Sequence, residues 1–233
     1  MIIHRFDPPA GCYHFTLPEL TATAHAHPAA ELLLSASGTL EVERGGVRLT
    51  EQYVVWLPAG AEHAAHSDSP VEVLMLEGHA DYLAELLGGA GWSAGDGEFP
   101  TDLPAKLLAT WDREEALRGY DARVRMALKY LANEGATYDG MIDDLRRITH
   151  LSESRLSHLF RAETGFSLKK YLVWSRLKRA FVPVAAGRLN MYAAALDAGF
   201  YDQAHLSRAF KRFLGLAPSL AYNSRTVQEG GEG

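Results

Sequence analysis

The 233-residue chain carries 23 Lys+Arg against 29 Asp+Glu, a net charge of −6, and is 47% hydrophobic with a single cysteine. This length fits one large or two small soluble domains with ordinary apolar cores, and excludes disordered and coiled-coil architectures as good descriptions. Cys12 alone forms neither an intrachain disulfide nor a Cys-rich zinc site, no run approaches 18 apolar residues, and Met1 to Pro9 lack a basic segment followed by an apolar stretch, so a reducing, cytoplasmic home is expected, without secretion or membrane spanning.

Charge divides the chain. Residues 1–122 hold 6 Lys/Arg and 19 Asp/Glu, a balance of −13; residues 123–225 hold 17 and 8, a balance of +9; the last eight add −2. An acidic half joined to a basic half predicts two domains with different partners, the basic one suited to a polyanion.

In chain order, the first segment able to carry chemistry is His25-Ala-His27-Pro-Ala-Ala-Glu31, followed by Gly38. From Thr39 to Leu76 the pattern is one of short strands: Leu40-Glu-Val-Glu alternates, Gly45-Gly46 predicts a tight hairpin turn, Val47-Arg-Leu resumes, and Val54 to Leu57 and Val71 to Leu76 continue the series. Such spacing predicts a small barrel or sandwich. Pro58-Ala-Gly60-Ala-Glu-His63 lies between the last two strands. The two segments resemble the cupin motifs HxH, three residues, Glu, six residues, Gly, and PxGxxH; Glu19 and Gln52 stand at the motifs' leading Gly positions and Ser67 at the usual final Asn. Period-two alternation points His25 and His27 the same way from one strand. With Glu31 and His63 they form a candidate N3O set suited to Zn, Ni, Mn or Fe, and His66 is a candidate fifth ligand. The competing reading is a set of histidines hydrogen-bonded across the barrel or lining an organic-effector pocket. Seven of the ten histidines lie in the first 79 residues. Tyr53 and Trp56 read as core.

After Gly78 the period moves toward 3.6, with Tyr82, Leu83, Leu86 and Leu87 on one face. This helix is suited either to dimerisation or to covering its own barrel. Gly88 to Thr101 reads as a loop and Pro104 to about Leu117 as one helix. The segmentation is then 1–79, an effector- or metal-sensing barrel; 80–122, a helical linker and dimerisation candidate; 123–225, a helical domain; and 226–233, a flexible tail.

The basic half contains two similar helix-turn-helix units. Leu145 to Phe160 reads as a helix, a break, a Ser152 N-cap and a second helix with Leu156, Leu159 and Phe160 facing inward. About fifty residues later, Tyr192 to Ala198, the turn Gly199-Phe-Tyr-Asp202, and Gln203 to Arg212 repeat the arrangement, with Leu206, Ala209 and Phe210 inward and Asp202 as N-cap. Between them Ser167 to Phe181 predicts a helix of roughly 15 residues, about 22 Å long, a rod able to hold two recognition helices at about the 34 Å separation of successive major-groove faces.

These residues resemble the AraC/XylS family of bacterial transcription regulators. Leu151-Ser, Leu156, Phe160, Glu163-Thr-Gly165, Tyr171, Arg176-Leu and Ala180 match the first half of its DNA-binding domain; Gly199-Phe, Asp202-Gln, His205 to Phe213, Gly215, Pro218 and Tyr222 match the second. The resemblance implies an α+β chain: an N-terminal cupin β-barrel or jelly-roll, then an all-α double helix-turn-helix domain binding double-stranded DNA. Carried over by position, the base-reading residues are Ser154, Ser157 and His158 in the first unit and Gln203, Ala204, His205, Ser207 and Arg208 in the second. Arg208 suits guanine and Gln203 adenine, whereas Arg155, Arg161, Lys211 and Arg212 suit phosphates. Arg146 and His150 stand where the family usually has a small residue and Gly, and Pro183 should kink or end the inter-unit helix. The expected function is a non-enzymatic transcription regulator sensing a small molecule or metal, with homodimerisation open. The alternatives are a metal-dependent cupin enzyme with a helical appendage, or a DNA-binding protein whose barrel only dimerises.

Overall fold

Two apolar segments with almost no polar face set the architecture of the first half: Ala30–Leu34 and Val71–Leu76 are buried along nearly their full length. A strand buried on both faces needs a cover on each side. The computed structural model describes residues 1–90, 102–133 and 140–219, and the backbone of 225–226. Its strands are β1 (Ile2–Asp7), β2 (Cys12–Leu17), β3 (Leu20–His25), β4 (Ala30–Leu34), β5 (Leu40–Arg44), β6 (Val47–Gln52), β7 (Val54–Leu57), β8 (His63–Ser67), β9 (Val71–Leu76) and the two-residue β10 (Arg225–Thr226). A six-stranded sheet ordered β10-β1-β2-β9-β4-β7 faces a four-stranded sheet ordered β3-β8-β5-β6. Gly45 and Gly46 join β5 to β6 with φ of 57° and 77°, the double left-handed turn expected for a two-residue hairpin.

Alternation along β4 and β9 assigns each side chain to a cover. Leu32, Leu34, Leu74 and Leu76 face outward against Leu83, Leu86 and Leu87 of α1 (Ala80–Gly89) and Leu103 and Leu107 of α2 (Leu103–Thr110). Leu33, Val73 and Met75 face the barrel interior. Thus α1 covers its own barrel with its apolar face, each buried Leu contributing roughly 1.5–3 kcal/mol, and it runs through the Gly88 and Gly89 expected to be loop. The remainder of that expected loop, 91–101, the tail from 227 and Tyr222 lie outside the described residues.

The single helix expected over 104–117 is two, α2 and α3 (Arg113–Arg118). Trp111 turns extended (φ −65°, ψ 120°) and gives its indole N–H to the Ala10 carbonyl at 2.9 Å, while Asp112 caps α3 through the amides of Glu114 and Glu115. Here a tertiary hydrogen bond and a strong N-cap outweigh helix propensity.

The helical half comprises α4 (Ala122–Ala132), α5 (Met141–Thr149), α6 (Glu153–Thr164), α7 (Leu168–Ala185), α8 (Met191–Asp197) and α9 (Gln203–Leu214). Ser152 and Asp202 cap α6 and α9 by accepting from Arg155 N and His205 N. His150 adopts φ 54° in the first turn, where a side chain costs about 1–2 kcal/mol that Gly would avoid. Arg146 leaves helix packing undisturbed: it is exposed and pairs with Asp143 at 3.1 Å. Pro183 does not end α7 at once. The helix continues to Ala185, and the Pro183 carbonyl then accepts from Arg188 N and Leu189 N. With 18 residues, α7 is about 27 Å long. One apolar cluster joins the barrel interior to α7 and α9, so the two halves share a core.

Candidate functional site

The barrel end facing the helices collects His25, His27, Glu31 and His63, each buried, with one ligand atom per residue and all four atoms within 4.8 Å of one another. The route differs from the one expected. β3 stops at His25, and His27 lies in the connection to β4; the ladder between β3 and β8 slips after Ala22, leaving His25 opposite His63. Glu31 points inward from β4 and His63 inward from β8. Because β8 alternates, His66 points outward, is exposed, and contacts Thr21 and Asp68 instead of the cluster. Tyr53 also departs from the core expectation. It is 45% exposed and lies over Gly38, while Trp56 is half-buried under the α1–α2 cover.

Each imidazole is oriented by its own backbone. Nδ1 of His25, His27 and His63 lies 2.8, 2.9 and 2.9 Å from the carbonyls of Thr23, Ala29 and Ala61. A carbonyl only accepts, so each Nδ1 carries the proton, and in the neutral ring Nε2 is left as a lone pair. Glu31 Oε2 sits 3.3 Å from His27 Nε2 and 2.9 Å from His63 Nε2, the latter pair too misaligned for a hydrogen bond, leaving His63 Nε2 a buried polar atom without a partner. Burial, helped by His63, lowers the His25 pKa to about 4 and keeps that ring neutral. Burial works against the charge of Glu31 and of His63, yet His27 and then His63 hold the Glu31 carboxyl low, and Glu31 in turn raises the His63 imidazole. Four electron-pair donors aimed at one point, with backbone carbonyls fixing the ring tautomers, are what a divalent transition metal requires. Ligands about 2.1 Å from a common ion stand about 3.4–4.2 Å apart, so the set needs only slight closing.

His25, Glu31 and His63 line a barrel cavity of about 60 Å³ that is also lined by Trp174, Leu177, Lys178 and Phe181 of α7 and Phe210 and Leu214 of α9. His27 stacks on Trp174 at 6.1 Å, and Phe6 on Phe181 at 4.7 Å. The end of α9 also docks on β3. Thr23 N donates to the Gly215 carbonyl at 3.0 Å, and a Cβ on Gly215, whose φ is 66°, would lie 2.3 Å from the Thr23 carbonyl and 2.6 Å from His25 Nδ1.

Beside the cavity lies a group that patterns in the sequence did not reveal. Glu77, immediately after β9 and 3% exposed, accepts at Oε1 from Tyr13 OH (2.8 Å), Trp174 Nε1 (2.8 Å) and Lys178 Nζ (2.6 Å), and at Oε2 from Tyr171 OH (2.9 Å). Arg113 stands 3.8 Å away and donates to the Glu77 carbonyl. Burial would raise the Glu77 pKa, but Lys178 and Arg113 bring it down to about 2. Tyr171, Trp174 and Lys178 share one face of α7, so a single barrel carboxylate fastens that helix. The only sequence signal was weak: a lysine at a position that helical periodicity places inside.

On the opposite side of the helical half, Ser154, Arg155, His158 and Arg161 of α6 are exposed and Ser157 is half-buried; on α9, Gln203, Ala204, Arg208, Lys211 and Arg212 are exposed. Ser207 donates to the Gln203 carbonyl, and the half-buried His205 ring packs edge-on against Phe200. Arg123, Lys129, Arg146 and Arg147 each pair with an acid, whereas Arg155, Arg161, Arg208, Lys211 and Arg212 have no carboxylate within ion-pair distance among the described residues. Among those residues no helix is long and apolar enough to cross a membrane.

Two family models match the chain and meet near residue 145. A family model described as an AraC-like ligand binding domain matches residues 11–147, and one described as a helix-turn-helix domain matches 145–222. The arabinose operon regulatory protein of Escherichia coli is 31% identical over 153 residues, 61% of this chain and 52% of that protein. The chain therefore spans about half the length of that relative. An uncharacterised HTH-type transcriptional regulator of Bacillus subtilis, YobQ, is 24% identical over 219 residues, 86% of this chain and 89% of the relative. The fold is that of ToxT from Vibrio cholerae, with a TM-score of 0.54 at 12% identity, covering 91% of this chain and 96% of ToxT. A second ToxT structure, bound to an unsaturated fatty acid, gives 0.52 at 13% identity over 91% and 94%.

Proposed function

Since the chain belongs to the AraC family of transcription regulators, we propose that it is a cytoplasmic, sequence-specific regulator binding double-stranded DNA, whose barrel senses a divalent transition metal. The observation carrying this reading is the shared cavity: metal-competent residues of the barrel line it together with α9, which bears DNA-facing residues, and α7, which connects the two helix-turn-helix units. A molecule filling that cavity touches both halves, and an ion on the four barrel ligands is coupled to α7 through the stack of His27 on Trp174; either acts as a switch by binding the docked and released arrangements with different affinity. A structure of the ToxT fold holds an unsaturated fatty acid; here the cavity of about 60 Å³ is smaller than the ~150 Å³ that accepts benzene. That size, with the N3O donors, favours an ion, alone or with a very small co-ligand, over a long acyl chain.

On the DNA side, Arg208 and Gln203 read bases with Ser154, Ser157, His158, Ala204, His205 and Ser207 at the same surface, and Arg155, Arg161, Lys211 and Arg212 hold phosphates. Residues 123–225 act as the DNA-binding part, 1–79 as the sensor, and 80–122 as the helical linker between them, whose α1 and α2 cover the barrel. The test is elemental analysis of full-length protein prepared without tag or chelator, with titrations onto a duplex selected from random DNA before and after metal removal. About one Zn, Ni, Mn or Fe per chain and a changed affinity on removal support the proposal. DNA binding without stoichiometric metal overturns the sensing half, and absence of any selected sequence overturns the regulatory half.

A further inference from the structure

A second, larger cavity lies away from the barrel, where the two helix-turn-helix units meet. It measures about 360 Å³ and is bounded by the end of α4, by α7, and by the connection from α7 into α8, with Pro8 of the barrel at one edge. Ser175, Arg179 and Val182 fall on one face of α7 and line it. Leu131, Val182 and Leu189 make an apolar bed.

Its polar groups are under-partnered. Ser175 is 3% exposed, and no hydrogen-bonding group reaches its Oγ among the described residues. A helical serine ordinarily bonds the carbonyl four residues back; this one does not, and its residue lines the cavity. Arg179 is half-buried and donates to the Ala198 carbonyl at 3.4 Å, one bond from a group with five N–H donors. Its burial disfavours the charge, and Asp197 only partly restores it. Arg188 is exposed at the rim with no acidic partner among the described residues. Lys178 lines the cavity with its stem, but its ammonium is turned to Glu77. Counting Arg179, Arg188 and Asp197, the cavity has one net positive charge.

We propose that this cavity binds a small organic carboxylate, with its oxygens taken by Arg179, Arg188 and the Ser175 hydroxyl and its apolar body lying on Leu131, Val182 and Leu189. A planar carboxylate suits paired guanidinium donors. Asp197 selects against a phosphate dianion, and a hydroxyl as deeply buried as that of Ser175 is out of reach of a duplex backbone. The volume is more than twice that of a cavity holding benzene, enough for a substituted aromatic acid. Contact with α4, α7 and α8 together lets such a ligand fix how the two units are held relative to one another.

The probe is para-propylbenzoate, titrated calorimetrically into the full chain at pH 7, with para-propylbenzyl alcohol and inorganic phosphate as comparisons. Saturable one-to-one binding of the benzoate is expected, weakened about tenfold by Arg188→Gln and a few-fold by Ser175→Ala, with neither comparison compound saturating. Arg188 is exposed and on a connection, so its variant keeps the fold. Absence of saturable binding at millimolar benzoate overturns the proposal, as does binding indifferent to both substitutions or matched by phosphate. If Arg188→Gln instead lowers affinity for every duplex sequence alike and leaves benzoate binding unchanged, Arg188 is a phosphate contact and the proposal fails.

Discussion

Glu77→Gln keeps the shape of the side chain and removes the carboxylate charge that Lys178 and Arg113 share. Two routes give the cost. Breaking a buried pair from one side typically destabilises by about 3–5 kcal/mol, because the abandoned cation stays out of water. Independently, lowering a carboxyl pKa from 4.5 to about 2 on folding corresponds to about 3 kcal/mol. Since Lys178 is on α7, the cation escapes by lifting α7 from the barrel, so the loss should appear as undocking before global unfolding. Amide exchange in peptides covering 168–181 should accelerate roughly a hundredfold, and the melting temperature should fall by about 6–12 °C. Glu77→Gln combined with Lys178→Met should recover most of the loss, since apolar replacement of a buried pair is often neutral. The pH dependence has a definite sign: the folded-state pKa is depressed, so the contribution is complete above about 4.5 and disappears as pH falls toward 2, and the Gln variant should lack this acid-dependent loss. Unchanged exchange in α7 together with an unchanged melting temperature would refute the assignment of Glu77 as the fastening between the halves.

Gly215→Ala should lift the end of α9 from β3, since the left-handed backbone alone costs about 1–2 kcal/mol and the added carbon meets the Thr23 carbonyl; exchange over 20–25 should rise, and an unchanged rate there would contradict the close approach. Arg208→Ala should cost roughly 1–3 kcal/mol on a selected site and relax one base preference; identical selections from parent and variant would remove it from the readout. Lys211→Ala should weaken all sequences similarly and lower the slope of log affinity against log salt by about one, measured by titration at several salt concentrations. The pair His25→Ala and His27→Ala should abolish stoichiometric metal; equal content in variant and parent by elemental analysis would dismiss the site.

Legibility in the sequence followed how local the governing physics was. The hairpin at Gly45-Gly46, the caps at Ser152 and Asp202, and the inward faces of α6 and α9 are decided within a few residues, and the structure has them where the pattern puts them. β1 and β2 carry little alternation of their own, although they form a local hairpin, and the placing of β2 beside β9 and of β3 beside β8 depends on partners far along the chain. The break at Trp111 depended on a carbonyl a hundred residues earlier, at Ala10. His25, His27, Glu31 and His63 are legible through the resemblance to the two cupin motifs, yet the strand expected to align the first two ends between them, and the ladder slips there. Three residues along β8 is an odd step, so alternation puts His66 on the face opposite His63 and outside the set. Glu77 was invisible because its importance arises from α7, about a hundred residues away, and nothing local distinguishes it from any acid following an apolar strand.

The helix α7 is at once the spacer between the two DNA-facing helices and the stopper of the barrel, and this sets what kinds of change the lineage can accept. Inserting or deleting one residue within it would rotate everything downstream by about 100° and shift it by about 1.5 Å. The cavity would lose its wall in the same event that put the second recognition helix out of phase with the first. New responses and new operator spacings must therefore arise by exchange of side chains on a rod of constant length, and the count of residues between Trp174 and Phe181, which both line the cavity, is not open to change.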